Sequence, residues 1–126
     1  MAKAAFKINK KSQKTKKPYE KIKDKLEIIK KAVLETVPTE KIYLFGSYAY
    51  GKPHDNSDID IYVVIPNDFD KDILNTMGLV INYLWPYDIL NIDLFLVKKN
   101  LFLFYKENRT FEETICNKGI LLYERS

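Results

Sequence analysis

The chain has 126 residues, 46% of them apolar and 30% charged, a size and balance that suit one globular domain with its own core and argue against a disordered chain or a membrane protein. Its net charge of +4 hides an asymmetry, because residues 1–31 carry 12 lysines against Glu20, Asp24 and Glu27, while residues 32–126 carry nine basic and 14 acidic groups. A single cysteine, Cys116, leaves no internal disulfide, and no apolar stretch reaches the length of a signal h-region or a membrane span, so the expected location is the cytoplasm, with no membrane contact.

Residues 1–17 hold seven lysines without apolar periodicity and are expected to form a disordered, solvated leader, with nucleic-acid contact through it left open. The domain proper is expected over 18–126. From Pro18 the apolar positions Tyr19, Ile22, Leu26, Ile29, Val33 and Val37 step by three or four, which predicts an amphipathic helix ending before Pro38. A strand over Lys41 to Phe45 is stopped by Gly46, and Ser47 to Tyr50 form a helical turn closed by Gly51. The loop from Lys52 to Ser57 precedes a second strand, Asp58 to Ile65, stopped by Pro66. Asn67 or Asp68 is expected to cap the next helix, with Phe69, Ile73, Met77, Val80 and Leu84 on its inner face and Pro86 at its end. A third strand over Asn91 to Val97, helical pieces at Leu101 to Tyr105 and Phe111 to Cys116, and a last strand from Ile120 to Tyr123 after Gly119 complete an α-β-α-β-α-β-α-β order. That order predicts a compact α/β or α+β domain.

Chemistry enters at the second strand. Alternate side chains of a strand share a face, so Asp58 and Asp60 project side by side while Ile59 and Ile61 turn inward. Two carboxylates that close raise each other's pKa unless a cation lies between them, and Mg²⁺ prefers such oxygen ligands together with substrate phosphates. Upstream, Gly46 lets the backbone approach a phosphate, and the Ser47 hydroxyl and nearby N–H groups supply donors. Ser47 also reads as a plain helix cap, which is compatible. Asp93, the acid inside the third strand, is expected opposite the pair as a metal ligand and proton acceptor, with Asp88 as the next candidate. Three carboxylates around two metal ions are what nucleotidyl transfer from an NTP needs. His54 is expected in solvent, Cys116 as a small buried hydrophobe, and Tyr83, Trp85 and Tyr87 in core packing.

The run Gly46-Ser47-Tyr-Ala-Tyr-Gly-Lys-Pro-His-Asp-Asn-Ser57-Asp58-Ile-Asp60 resembles the Gly-Ser-x10-Asp-x-Asp signature of the DNA polymerase β nucleotidyltransferase superfamily. More closely it resembles the minimal nucleotidyltransferases, single-domain prokaryotic proteins with a mixed sheet of about four strands flanked by helices. That resemblance implies transfer of NMP, most often AMP, to a hydroxyl with release of pyrophosphate, and two Mg²⁺ ions, with Mn²⁺ as the alternative. It places Asp58, Asp60 and Asp93 as catalytic metal ligands and Ser47 at the triphosphate; Gly46, Lys52 and Ser57 are expected beside the nucleotide as well. It further implies ATP as donor and, as partner, a HEPN-domain toxin or a second copy of the chain; the toxin would be neutralised by modification or by occlusion. Many relatives carry an arginine two or three residues after the serine, where this chain has Ala49 and Tyr50. Lys52 reads either as its substitute or as a solvated loop lysine.

Overall fold

The computed structural model describes residues 17–126. Apart from Lys17, the expectations for the lysine-rich leader fall outside the described residues. Pro18, which lacks an N–H and presets φ, opens a 3-10 turn over Pro18–Ile22 rather than an α-helix, and α1 (Lys23–Thr36) follows it. The stripe Ile22, Leu26, Ile29 and Val33 is buried as the spacing predicts. At Val37 the backbone turns extended (φ −140°, ψ 141°) ahead of Pro38, whose ring disfavours a helical residue before it.

The remaining elements are β1 (Lys41–Phe45), α2 (Ser47–Tyr50), β2 (Ile59–Ile65), α3 (Ile73–Leu84), β3 (Ile92–Lys98), α4 (Lys99–Asn108), α5 (Thr110–Lys118) and β4 (Ile120–Glu124). They form a mixed four-stranded sheet in the order β3-β2-β1-β4. β1 pairs antiparallel with β2 and β4, whereas β2 and β3 run parallel, joined by the crossover through α3.

One face of the sheet presents Ile42, Leu44, Ile59, Ile61, Val63, Ile65, Leu94 and Leu96 to α1 and α3. The other presents Tyr43, Phe45, Tyr62 and Val64 to Phe102 of α4 and Ile115 of α5. Covered on both sides, β2 is apolar in almost every position. Each such side chain, once fully buried, contributes about 1.5–3 kcal/mol, so the one polar residue inside β2, Asp60, is there against a steep packing preference.

Two expectations are corrected around α3. Its cap is Asp72, not Asn67 or Asp68: the Asp72 carboxylate accepts from the N–H groups of Leu74 (2.8 Å) and Asn75 (3.3 Å). Asn67 instead accepts from the N–H of Asn100 at the start of α4 (2.8 Å), and Phe69 enters the core from the connecting segment. The segment Ile73–Tyr87 contains no charged residue. Its inner side buries Thr76, Val80 and Leu84, but Leu74 (76% exposed) and Trp85 (66%) face outward with Leu79, Ile81 and Tyr87. Trp85 and Tyr87 are therefore surface residues, because the turn Trp85–Tyr87 carries them past the end of the core-facing helix. Among the described residues no helix is long and apolar enough to cross a membrane.

Candidate active site

The site forms where β1 gives way to α2. Gly46 has φ 76° and ψ −156°, a conformation open in practice to glycine alone. A second constraint falls on the same residue, since a Cβ there would overlap Asp60 Oδ2 and lie 2.8 Å from Asp60 Cγ. Glycine is thus needed both to turn the chain and to leave room for the carboxylate. α2 is a single turn in which the N–H groups of Ala49 and Tyr50 bond back to Gly46 O at 3.0 Å each. Ser47 stands at its first position, half-buried.

β2 begins at Ile59, so Asp58 lies one residue ahead of the strand and is exposed, while Asp60 is half-buried. The parallel register pairs Asp60 with Asp93, and the antiparallel register pairs Asp60 with Phe45, the residue before Gly46. Side-chain alternation sends Asp60 and Asp93 to one face, the face of Tyr62 and Phe95. Asp93 is exposed at the start of an edge strand rather than enclosed in the sheet, a position that carries no burial cost. Burial first, and then the carboxylates of Asp93 and Asp58, push the Asp60 carboxyl up to about 6. Among the described residues no three His, Cys, Asp or Glu side chains close into a ready-made cation cage. The three aspartates share one electrostatic neighbourhood, and Asp88, the other candidate, lies outside it in sequence as the left-handed residue (φ 61°) that ends the Trp85–Tyr87 turn.

The remaining candidates fall around this centre. The Ser57 hydroxyl accepts from the His54 N–H (2.8 Å) and its own N–H donates to His54 O (2.9 Å), so Ser57 closes the loop that delivers Asp58. Lys52 follows Gly51 at the end of α2 and is exposed, as is His54. Cys116 is half-buried against the cluster that contains Tyr43 and Phe45.

Two further groups could not be read in advance. Asn91 grips the chain on both sides of Asp58: its Nδ2 donates to Ser57 O (2.7 Å) and its carbonyl accepts from Ile59 N–H (2.8 Å). An asparagine at a strand start was the only signal. Behind the site, Tyr62 donates its hydroxyl to Glu112 (2.9 Å), a carboxylate only 1% exposed that also accepts from Arg109 Nε and Nη2 at 3.1 Å each. This trio pins α5 to the sheet, and burial followed by the bond to Glu112 raises the Tyr62 hydroxyl well above its ordinary range. Phe111 of α5 then packs edge-to-face on Phe45 (centroids 5.4 Å, 87°) and tilted on Phe95 (5.6 Å, 52°), on the face that carries the aspartates.

Comparison with known proteins gives this arrangement a context. The model of the nucleotidyltransferase domain family matches residues 26–117. No curated protein matches the chain. Among solved structures, a Sulfolobus solfataricus protein designated a nucleotidyltransferase is similar at TM-score 0.51 and 23% identity, over 79% of this chain and 76% of that one. A toxin–antitoxin complex with AMP-PNP contains a chain similar at TM-score 0.55 and 26% identity, over 79% of this chain and 73% of that one. A tri-AMPylated Shewanella oneidensis HEPN toxin in complex with an MNT antitoxin matches at TM-score 0.46 and 23% identity, over 77% of this chain and 67% of that one, a likeness too distant to inform function. A family match that runs from α1 to the end of α5, on a sheet that sets the Gly46 turn against Asp60, makes this chain a member of the nucleotidyltransferase domain family.

Proposed function

We propose that this nucleotidyltransferase moves AMP from ATP to a hydroxyl of a partner protein, a HEPN-domain toxin, and releases pyrophosphate. The observation that carries the reading is the alignment of Asp60 with Asp93 across two parallel strands, directly beside the Gly46 turn that presents Ser47. The acceptor oxygen attacks the α-phosphorus, the bond from that phosphorus to the oxygen bridging to the β-phosphate breaks, and pyrophosphate departs. Asp93, exposed at the start of the edge strand β3, takes the hydroxyl proton. Ser47 donates to the phosphates, with Gly46 allowing their close approach.

Asp58, Asp60 and Asp93 are the residues that would hold two Mg²⁺ ions, or Mn²⁺. The donor set fits, since all three offer hard oxygen ligands and the Asp60 carboxyl is raised first by burial and then by the charges of Asp93 and Asp58, both of which a cation offsets. When bound, the ions neutralise charge on the entering and leaving oxygens. Support for adenine and for a protein partner comes from the similarity to the toxin–antitoxin complex that holds AMP-PNP. The cytoplasm, where free thiols persist and ATP is abundant, is the compartment this reading requires.

A second reading, neutralisation by occlusion without transfer, is favoured by the uncharged outer face of α3. That face, edged by the exposed Asp70, Asp72 and Asp88, suits an apolar protein surface with basic margins. Incubation with α-labelled NTPs, Mg²⁺ and the HEPN-domain protein separates the two. Label on that protein, absent with Asp58→Asn, establishes transfer; a tight complex with no label from any nucleotide establishes occlusion.

A further inference from the structure

The aspartate centre has no cation of its own. Residues 46–50, which form the turn and α2, contain no lysine or arginine, while Asp58, Asp60 and Asp93 are all acidic. A triphosphate entering this site therefore needs positive charge from elsewhere in the chain for the phosphates that the carboxylate-held ions do not cover.

One place in the fold supplies it. A cavity of about 390 Å³ is lined by Lys17, Pro18, Glu20, Lys21, Gly51, Lys52 and Pro53. Three lysines line it against one glutamate, and among the described residues none of the three lysines forms an ion pair. The cavity lies one helical turn from the active site. Gly51, which lines it, closes the turn that Ser47 opens, its N–H donating to Ser47 O (2.9 Å). The 3-10 turn Pro18–Ile22 packs on α2, which brings Lys17 and Lys21 to Lys52 from a distant part of the sequence. Lysine suits the task as a compact, mobile charge that can follow a phosphate without fixed geometry.

We propose that Lys17, Lys21 and Lys52 form a second, cationic half of the nucleotide site, which takes the distal phosphates of the NTP where α2 offers no positive side chain. The inference rests on the NTP reading above and assigns two residues, Lys17 and Lys21, that lie outside the Gly-Ser to Asp-x-Asp segment. Their function is affinity and orientation of the polyphosphate tail, so they discriminate ATP from AMP.

The test is calorimetric binding of ATP and of AMP, each with Mg²⁺, to the full-length protein and to the variants Lys17→Ala/Lys21→Ala and Lys21→Glu, at low and moderate salt. The double variant is expected to bind ATP roughly tenfold more weakly, with AMP affinity changed less than about twofold and the salt dependence of ATP binding reduced. Inorganic tripolyphosphate should compete with ATP on the wild-type protein and lose that ability on the double variant. Equal losses for ATP and AMP, or unchanged ATP affinity in both variants, would overturn the proposal while leaving the NTP reading intact. Failure of the wild-type protein to bind ATP at all would overturn both. All three lysines are solvent-exposed, and unchanged thermal melting of the variants confirms that binding alone was altered.

Discussion

Replacing Gly46 with alanine tests the geometry of the site at its tightest point. The backbone there sits at φ 76° and ψ −156°, a region that costs a non-glycine residue about 1–3 kcal/mol. Reduced freedom of the unfolded chain returns about 0.4–1 kcal/mol of that. The net loss is about 1–2 kcal/mol, which lowers the melting temperature of a domain this size by roughly 4–10 °C. A separate effect falls on chemistry, because the new Cβ would lie 2.8 Å from Asp60 Cγ and 3.2 Å from Asp60 Cβ, so the carboxylate must swing away. Displacement of a reacting group by about 1 Å costs on the order of 10²-fold in rate. The assay is calorimetric melting paired with transfer of α-labelled nucleotide. Placing Gly46→Ala in an Asp60→Ala background isolates the two effects, since the backbone cost persists there and the clash with the carboxylate does not. An alanine variant that melts within about 1 °C of wild type and transfers nucleotide at the wild-type rate would refute both arguments.

Three further outcomes follow from the same structure. Asp60→Asn should abolish transfer; and because the folded carboxyl is pushed up to about 6, above its unfolded value, the metal-free wild-type protein carries a penalty above that pH that is relieved as pH falls from about 6 to 4. Melting curves in chelator across pH 4–8 should rise in that acidic window for wild type and stay flat for the asparagine variant, and Mg²⁺ at pH 8 should stabilise only wild type. Asn91→Ala removes the donor to Ser57 O, costing about 1–2 kcal/mol in denaturant titration; kcat should fall further than this while the KM for ATP stays near wild type, because Asp58 loses its clamp. Arg109→Ala leaves Glu112 buried with the Tyr62 hydroxyl as its remaining partner, an expected loss of about 3 kcal/mol, most of which the double variant Arg109→Ala/Glu112→Gln should recover, because the amide oxygen still accepts from Tyr62 without a buried charge.

What could be read in the sequence was whatever local periodicity encodes. The stripe from Ile22 to Val37 and the apolar runs of the strands announced their elements because burial repeats every 3.6 or 2 residues, and the glycine-serine turn stood out because so few residues suit it. Caps were less legible: the stretch 67–72 offers Asn67, Asp68, Asp70 and Asp72, all chemically able to cap, and the chain path out of β2 selects the last. Long-range partners left no trace, so Glu112 looked like any helical acid until Tyr62, fifty positions away, was seen to donate to it. The isolated acid in an apolar strand drew attention to Asp93, but its exposure follows from β3 lying at the sheet edge, a property of strand order rather than of strand sequence.

The pairing of Asp60 with Asp93 has one more consequence. Adjacent strands are held about 4.8 Å apart by their backbone hydrogen bonds, so the ladder, not the side chains, is the ruler that spaces these two acids. No substitution on the surface can stretch it, and a glutamate at either place would overshoot by a methylene with its charge unchanged. The backbone thus makes the centre rigid and leaves adaptation to whatever surrounds it: the lysines across Gly51 and the helices on either side.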